Sequence, residues 1–250
     1  LPQNFKQSVE SALENEHIGM LLDRLTQLND NRRRTIMAEL DDQLAIRTIA
    51  AQIKDHTLQN LDRYLVQLIE NLRKIGGQIH FARTGVDACE IISSIGSDVD
   101  AKLVVKSKSM VSEEIELNQA LQIAGFEVIE TDLGEYILQL ADEKPSHIVL
   151  PVAHKRKEDI GRLFAEKIGI EYSSDPLTLT QVARNVLREK FHNADMGIIG
   201  ANFAVAETGT ICIVTNEGNG RFCSSWPRVV VCLMGIEKVI PTLRHLTIFL

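Results

Sequence analysis

The sequence predicts an α/β protein in which helices flank a mainly parallel sheet, with a helical segment preceding the sheet domain. Up to about residue 76, apolar residues recur at steps of three and four, which is the spacing of one helix face. After Gln78, short runs of β-branched and other apolar residues alternate with helical patterns, the order expected of βαβ units. We therefore predict a helical segment over residues 1–76 and an α/β domain over residues 77–250.

Length, charge and cysteine content narrow the class of protein. The chain has 250 residues, enough for one large or two small domains with a sizeable core. Its formal net charge of −7 argues against a nucleic-acid binder that reads phosphates through bulk charge. No transmembrane segment is predicted, because no run approaches the roughly 18 apolar residues that a membrane span needs. The four cysteines form no Cys-x-x-Cys pair, and their usage indicates the cytoplasm.

The helical segment is predicted to contain two short stretches and one long one. Phe5–Leu13 and Leu21–Leu28 each show one apolar face, and a turn is expected at Asn29–Asn31. A long amphipathic helix then runs from Ile46 to Leu72, and the glycines from Gly76 are expected to end it.

The α/β part begins with a predicted strand at Ile79–Ala82. The further predicted strands are Lys102–Val105, Phe126–Glu130, His147–Leu150, Met196–Ile199 and Val229–Leu233. The predicted helices are Val86–Ile95, Lys155–Ile168 and Leu179–Phe191. Several of these strands run directly into polar residues, and parallel strands end at one edge of a sheet. We therefore expect these polar groups to converge.

Lys106, Lys108, Ser109 and Ser112 follow the second predicted strand and are predicted to bind an anion. Ser112 would cap a helix whose first turn holds acidic residues, and a helix N-terminus favours anions. The alternative is that both lysines are merely exposed and Ser112 is only a cap. The sequence leaves both interpretations open.

Asp132 and Glu135 follow the third predicted strand, and His154 follows the fourth. Two nearby carboxylates can have separated pKa values, so Asp132 and Glu135 are a candidate general acid–base pair. Their spacing also fits a capping box, with Asp132 as the N-cap. His154 is either structural or a group that binds an anion or shuttles protons.

The stretch from Gly200 to Arg221 is predicted to form a strand, a tight turn, a second strand and a glycine-rich loop. Gly209, Gly218 and Gly220 are expected to adopt positive φ. Glu207 follows apolar Val205 and Ala206, so we expect it to be partly desolvated and basic or nucleophilic. The candidate ligand-binding residues here are Asn202, Thr208, Gly209, Thr210, Asn216, Glu217, Gly218, Asn219 and Arg221. A solvated hairpin with ordinary turn residues would explain the same pattern.

The chain resembles the lactate-utilisation (LUD) domain family, and within it the lactate-utilisation protein B branch. The residues that carry the resemblance are Ile53–Lys54, Asn60–Leu65, Lys106–Glu114, Thr131–Tyr136, Gly200–Thr210, Thr215–Arg221 and Gly235–Thr242. The resemblance implies a fold of the isomerase and CoA-transferase class, in which such loops bind phosphate or carboxylate ligands. Some proteins of that class use a nucleophilic glutamate, which is the role expected for Glu207.

The resemblance also implies a function. The chain would be a component of an iron–sulfur electron-transfer system that oxidises L-lactate to pyruvate, with other lactate-utilisation subunits and a small anionic ligand as partners. In this branch a cysteine-rich region with [4Fe–4S] clusters follows the LUD domain. This chain has no such run, so no cofactor is expected in it. The alternatives are a stand-alone transferase or isomerase for an acyl-CoA or a sugar phosphate, and a non-catalytic interaction module.

Overall fold

The computed structural model describes residues 6, 9–10, 16–145 and 150–250. The chain divides into two compact units. The first comprises Leu1–Ala45 and Ile137–Leu179, and the second Ile46–Tyr136 and Thr180–Leu250. The division into domains at residues 76 and 77 stays a prediction.

Helices make up most of the described chain. The helices are α1 (Glu16–Ala38), α2 (Gln43–Gln59), α3 (Leu61–Lys74), α4 (Gly85–Asp98), α5 (Met110–Glu114), α6 (Leu117–Ile123), α7 (Leu133–Ala141), α8 (Lys157–Ile168), α9 (Pro176–His192), α10 (Asn219–Ser225) and α11 (Leu243–Phe249). The strands are β1 (Leu103–Lys106), β2 (Glu127–Glu130), β3 (Met196–Gly200), β4 (Phe203–Val205), β5 (Thr210–Cys212), β6 (Val229–Leu233) and β7 (Val239–Ile240). Among the described residues, none of the helices combines the length and apolarity that crossing a bilayer requires.

In the first unit, α1 runs without a break through Asn29–Asn31, so the turn predicted there is wrong. Asp30 Oδ1 lies 2.8 Å from Arg33 Nη2, and Asp30 Oδ2 lies 2.7 Å from Arg34 Nε. Ion pairs between residues three or four positions apart favour a continuous helix. The helix predicted over Lys155–Ile168 is confirmed as α8. The strand predicted over His147–Leu150 falls almost entirely on residues outside the described ones.

The second unit is built around an all-parallel sheet in the order β2-β1-β3-β6. β1, β3 and β6 are largely apolar runs, as expected when helices cover both faces, whereas the edge strand β2 begins and ends with glutamate. Val104 and Ile198 pack on one face with Leu117 and Leu121 of α6. Neighbouring strand residues point to the other face, where they pack against α10. The predicted α/β class with a parallel sheet is confirmed.

The strand predicted at Ile79–Ala82 is wrong. These residues form no strand, and Phe81 is 60% exposed. An apolar run of this length indicates a strand only when a neighbouring strand or helix buries it.

A smaller sheet, in the order β5-β4-β7, covers α3 in the same unit. The β4–β5 turn contains Gly209, whose φ of +74° confirms the predicted positive value. A Cβ atom on Gly209 would lie 3.1 Å from the backbone nitrogen of Leu72, so the turn approaches α3 closely. Asn71 fixes this contact, because its Nδ2 donates to the carbonyl oxygens of Ala206 and Glu207, each at 2.9 Å.

Candidate functional site

Lys106 ends β1 and is fully buried, at 0% exposure. The parallel register sets it beside Glu130, the last residue of β2, and Lys106 Nζ lies 2.8 Å from Glu130 Oε1. Asn118 Nδ2 donates to the same oxygen at 2.6 Å. A buried charge is stable only when it is paired and hydrogen-bonded. Lys106 is therefore not an exposed lysine, and its charge is already matched by a carboxylate.

Ser109 and Ser112 connect this ion pair to α5. The helix begins at Met110, and Ser109 is its N-cap, accepting from the Ser112 backbone N–H at 3.3 Å. The prediction that Ser112 caps the helix is wrong, because the helix starts earlier than its acidic residues indicate. Ser112 Oγ instead accepts from Lys106 Nζ at 2.9 Å and donates to the Ser109 carbonyl oxygen at 2.7 Å.

Asp132 is the N-cap of α7. Its Oδ1 accepts from the backbone N–H groups of Gly134, at 3.1 Å, and Glu135, at 3.3 Å. The capping interpretation of Asp132 is confirmed. Glu135 does not complete the capping box, because its two carboxyl oxygens are buried and accept no hydrogen bond from a described residue.

Glu135 is only 5% exposed, and Lys108 Nζ lies 3.4 Å from its Oε1. Burial, then the negative charge of Glu130 and the contact with the Glu113 carboxyl group, together raise the pKa of Glu135 to about 9, against a smaller lowering by the charge of Lys106. Glu135 is therefore a neutral carboxylic acid at pH 7. Sequence reasoning named this residue but paired it with Asp132, whereas the structure places it among Lys108, Glu113 and Glu130.

The loop before α10 reaches the same edge of the sheet. Glu217 Oε2 accepts from the Leu133 backbone N–H at 3.3 Å, and partial burial, followed by the charge of Asp132, raises the Glu217 pKa. Asn219 Nδ2 donates to Thr131 Oγ1 at 3.4 Å, and that hydroxyl donates to the Lys106 carbonyl oxygen at 2.8 Å. The predicted convergence is therefore confirmed for Glu217 and Asn219.

The glycine-rich loop ends earlier than predicted. Gly218 has the predicted positive φ, at +83°, but Gly220 lies inside α10 and does not. Arg221 is consequently an exposed helix residue, and in the described part of the chain it has no ion-pair partner. Asn216 is exposed in the bend before Gly218.

The polar residues of the β4–β5 hairpin serve its own backbone. Asn202 Oδ1 accepts from the Val214 backbone N–H at 2.7 Å, and Thr208 Oγ1 donates to Thr210 Oγ1 at 2.8 Å. Glu207 is exposed, so the expected desolvation is wrong. Its Oε2 accepts from the Leu243 backbone N–H at 3.0 Å and thereby caps α11.

His154 belongs to the first unit, whereas the other predicted site residues belong to the second. Its Nε2 lies 2.8 Å from Glu143 Oε2, and Lys155 Nζ lies 2.7 Å from the other oxygen of that carboxylate. Hydrogen bonds from Lys155 and then His154 lower the pKa of Glu143. These contacts are those of a local ion-pair group.

A comparison with known families decides where this chain belongs. The LUD domain profile matches residues 65–250, which include Lys106, Lys108, Glu130 and Glu135. The chain belongs to the LUD domain family.

Curated relatives of this LUD domain cover nearly the whole chain. It is 46% identical over 230 residues to Lactate utilization protein B 2 of Bacillus mycoides (strain KBAB4), covering 92% of the chain and 48% of that protein. Identity is also 46% to Lactate utilization protein B of Bacillus cereus (strain B4264) and 47% to that of Bacillus cytotoxicus, with the same coverage. The chain thus spans about half the length of the curated relatives it matches. No solved structure matches it significantly.

The cysteines of this LUD domain do not fit an iron–sulfur cluster. Cys89 and Cys212 pack in two separate apolar clusters, and Cys223 and Cys232 share a third. Burial raises the pKa of both Cys223 and Cys232 to about 11, whereas cluster ligands are thiolates. More generally, no group of three or more His, Cys, Asp or Glu side chains in the described residues could hold a metal ion.

We call the group at the ends of β1 and β2 the LUD site: Lys106, Lys108, Glu113, Asn118, Glu130, Thr131 and Glu135. Sequence reasoning missed four of these polar residues: Glu113, Asn118, Glu130 and Thr131. Glu130 could have been found from the sequence, because it is the last residue of the predicted strand that follows the strand next to Lys106. Glu113 was assigned only to a helix terminus, and Asn118 lies in a short helix that periodicity does not reveal.

Proposed function

We propose that this LUD domain belongs to a lactate-utilisation system that oxidises L-lactate to pyruvate together with other lactate-utilisation subunits. The observation that supports this is the 46% identity, over 92% of the chain, to relatives named Lactate utilization protein B. In this proposal, [4Fe–4S] clusters outside this chain transfer the electrons, since the cysteines present do not fit a cluster.

Within that system, we propose that the LUD domain binds a small anion at the edge where β1 and β2 end. Lys108 provides the main positive charge, because Lys106 is neutralised by Glu130. The carboxyl group beside Lys108 is Glu135, whose pKa of about 9 leaves it protonated at neutral pH. The Lys108 charge therefore lacks a matching charge from Glu135, and its side chain is 27% exposed. The exposed Arg221 is the second proposed charge.

Replacing the natural LUD segment tests the lactate role. In Bacillus cereus lacking its lactate utilization protein B, a chimera carrying the matching segment of this chain should restore growth on L-lactate. Reinsertion of the natural segment is the control. The proposal is overturned if the chimera accumulates to the control level without supporting growth, or if the chain alone turns over an acyl-CoA or a sugar phosphate.

Ligand binding tests the anion site. A thermal-shift screen of L-lactate, pyruvate, inorganic phosphate and coenzyme A is followed by calorimetry with the compound that stabilises the chain most. Lys108→Ala should weaken its binding by about 1.5–3 kcal/mol, the scale of a charged hydrogen bond. Lys102→Ala, an exposed lysine just before the start of β1, is the matched control. Equal affinity of both variants would place the anion elsewhere.

A further inference from the structure

Two glutamates of the LUD site have carboxyl oxygens without donors. Glu113 Oε1 and both oxygens of Glu135 are buried, and no N–H or O–H of the described residues donates to them. Lys108 Nζ, at 3.4 Å from Glu135 Oε1, lies at an ion-pair distance without forming a hydrogen bond. Buried acceptors are normally satisfied, so three together require an explanation.

The explanation is in their mutual position, because the Glu113 and Glu135 side chains lie within hydrogen-bond reach of each other. Two ionised carboxylates only accept hydrogen bonds, and they repel each other when they lie within hydrogen-bond reach. A proton on one of them converts the contact into an O–H···O bond. That bond satisfies one oxygen on each side.

The groups around the pair favour retention of this proton. The negative charge of Glu130, at the end of β2, raises the pKa of Glu135 more than the positive charge of Lys106, at the end of β1, lowers it. Lys108 is a second cation beside Glu135, and its side chain is 27% exposed. Burial is the largest of the influences that together raise the Glu135 pKa to about 9.

We propose that Glu113 and Glu135 form a carboxyl pair that shares one proton, and that this pair is the acid–base group of the LUD site. The proton would move from the pair to an oxygen of a ligand held by Lys108 as that oxygen gains negative charge during the reaction, leaving both carboxylates ionised, and would return when the ligand oxygen releases it. Only this second part rests on the function proposed above.

Carbon-13 NMR of the 250-residue chain labelled at glutamate side chains tests the pair without any ligand. We expect one carboxyl resonance to titrate near pH 9, and Glu135→Gln to abolish that titration. Glu113→Gln supplies an amide donor to Glu135 and should lower the midpoint by about one pH unit or more. Glu114→Gln, the exposed neighbour on α5, should leave it unchanged.

The pair is overturned if all glutamates titrate between about pH 3 and 6, or if Glu113→Gln leaves the high midpoint in place. The acid–base role is tested in the Bacillus cereus chimera, where Glu113→Gln should slow growth on L-lactate and Glu114→Gln should not. Normal growth with Glu113→Gln would overturn that role. A chimera that never supports growth rejects the lactate function and leaves the titration as the test of the pair.

Discussion

The edge where β1 and β2 end and the β4–β5 hairpin look alike in sequence and differ in structure. Both place polar residues directly after short apolar strands. At the first edge, Lys106 and Glu130 are buried and paired, and Glu135 is buried with a raised pKa. In the hairpin, Glu207 is exposed and caps a helix. Proximity to a strand end therefore does not identify a site; burial of charge distinguishes the two regions.

The largest expected effect is at the buried ion pair. Lys106→Met leaves the Glu130 carboxylate buried without its cation, and should lower the free energy of unfolding by about 3–5 kcal/mol in urea denaturation. The double variant Lys106→Met/Glu130→Gln should recover part of that loss. Lys102→Met is the exposed control. A loss below about 1 kcal/mol for Lys106→Met would mean that the pair behaves as a surface salt bridge.

Gly209 tests the packing of the hairpin. Gly209→Val should destabilise the fold by about 1–3 kcal/mol, because a β-branched residue is strained at a φ of +74°. Its Cβ would also lie 3.1 Å from Leu72 N. Gly125→Val separates the two causes, since Gly125 has a φ of +93° and no atom within 4 Å of its Cβ position. Equal melting temperatures for the two variants would show that the contact with α3 adds nothing.

The third effect is a dependence of stability on pH. Glu135 has an ordinary pKa of 4.5 when unfolded and one of about 9 when folded, so the folded chain keeps a proton that the unfolded chain releases. Stability should therefore fall as the pH rises from about 4.5 to 9, by up to about 1.4 kcal/mol per pH unit, and level off above that.

Glu135→Gln should remove this slope, so that its advantage over the parent grows toward pH 9. Glu114→Gln should keep the slope. Urea denaturation at a series of pH values provides the measurement. Parallel stability curves for the parent and Glu135→Gln would show that the Glu135 carboxyl is hydrated and ionised at neutral pH.

The smallest expected effect is at Glu207. Glu207→Ala removes an acceptor from the start of α11 and should cost about 0.5–1 kcal/mol, without reducing growth of the chimera on L-lactate. Thr242→Ala removes the other cap of this helix, on His245 N, and is expected to have a similar effect. If the Glu207→Ala chimera folds but does not support growth on L-lactate, Glu207 has a functional role and the β4–β5 hairpin is again a candidate site.

The parallel sheet was predictable because its strands are short runs rich in apolar and β-branched residues that alternate with helical patterns. Ile79–Ala82 is also a short, mainly apolar run, yet it forms no strand, and such a run alone does not reveal whether a neighbouring element will bury it. The positive φ of Gly209 was predictable from local turn chemistry. The Lys106–Glu130 pair was not, because it depends on the register of two strands that are separated by α5 and α6. Ser109 and Ser112 were interchanged as caps, since both have the required side chain.

The Lys106–Glu130 pair also restricts how this site can change over evolutionary time. Replacement of either residue alone leaves the other charge buried without its partner. A lineage that loses the lysine must therefore pass through a poorly folded intermediate or replace the glutamate as well. Positions 106 and 130 should consequently be substituted together among LUD domains, while exposed Lys102, just before the start of β1, should vary independently.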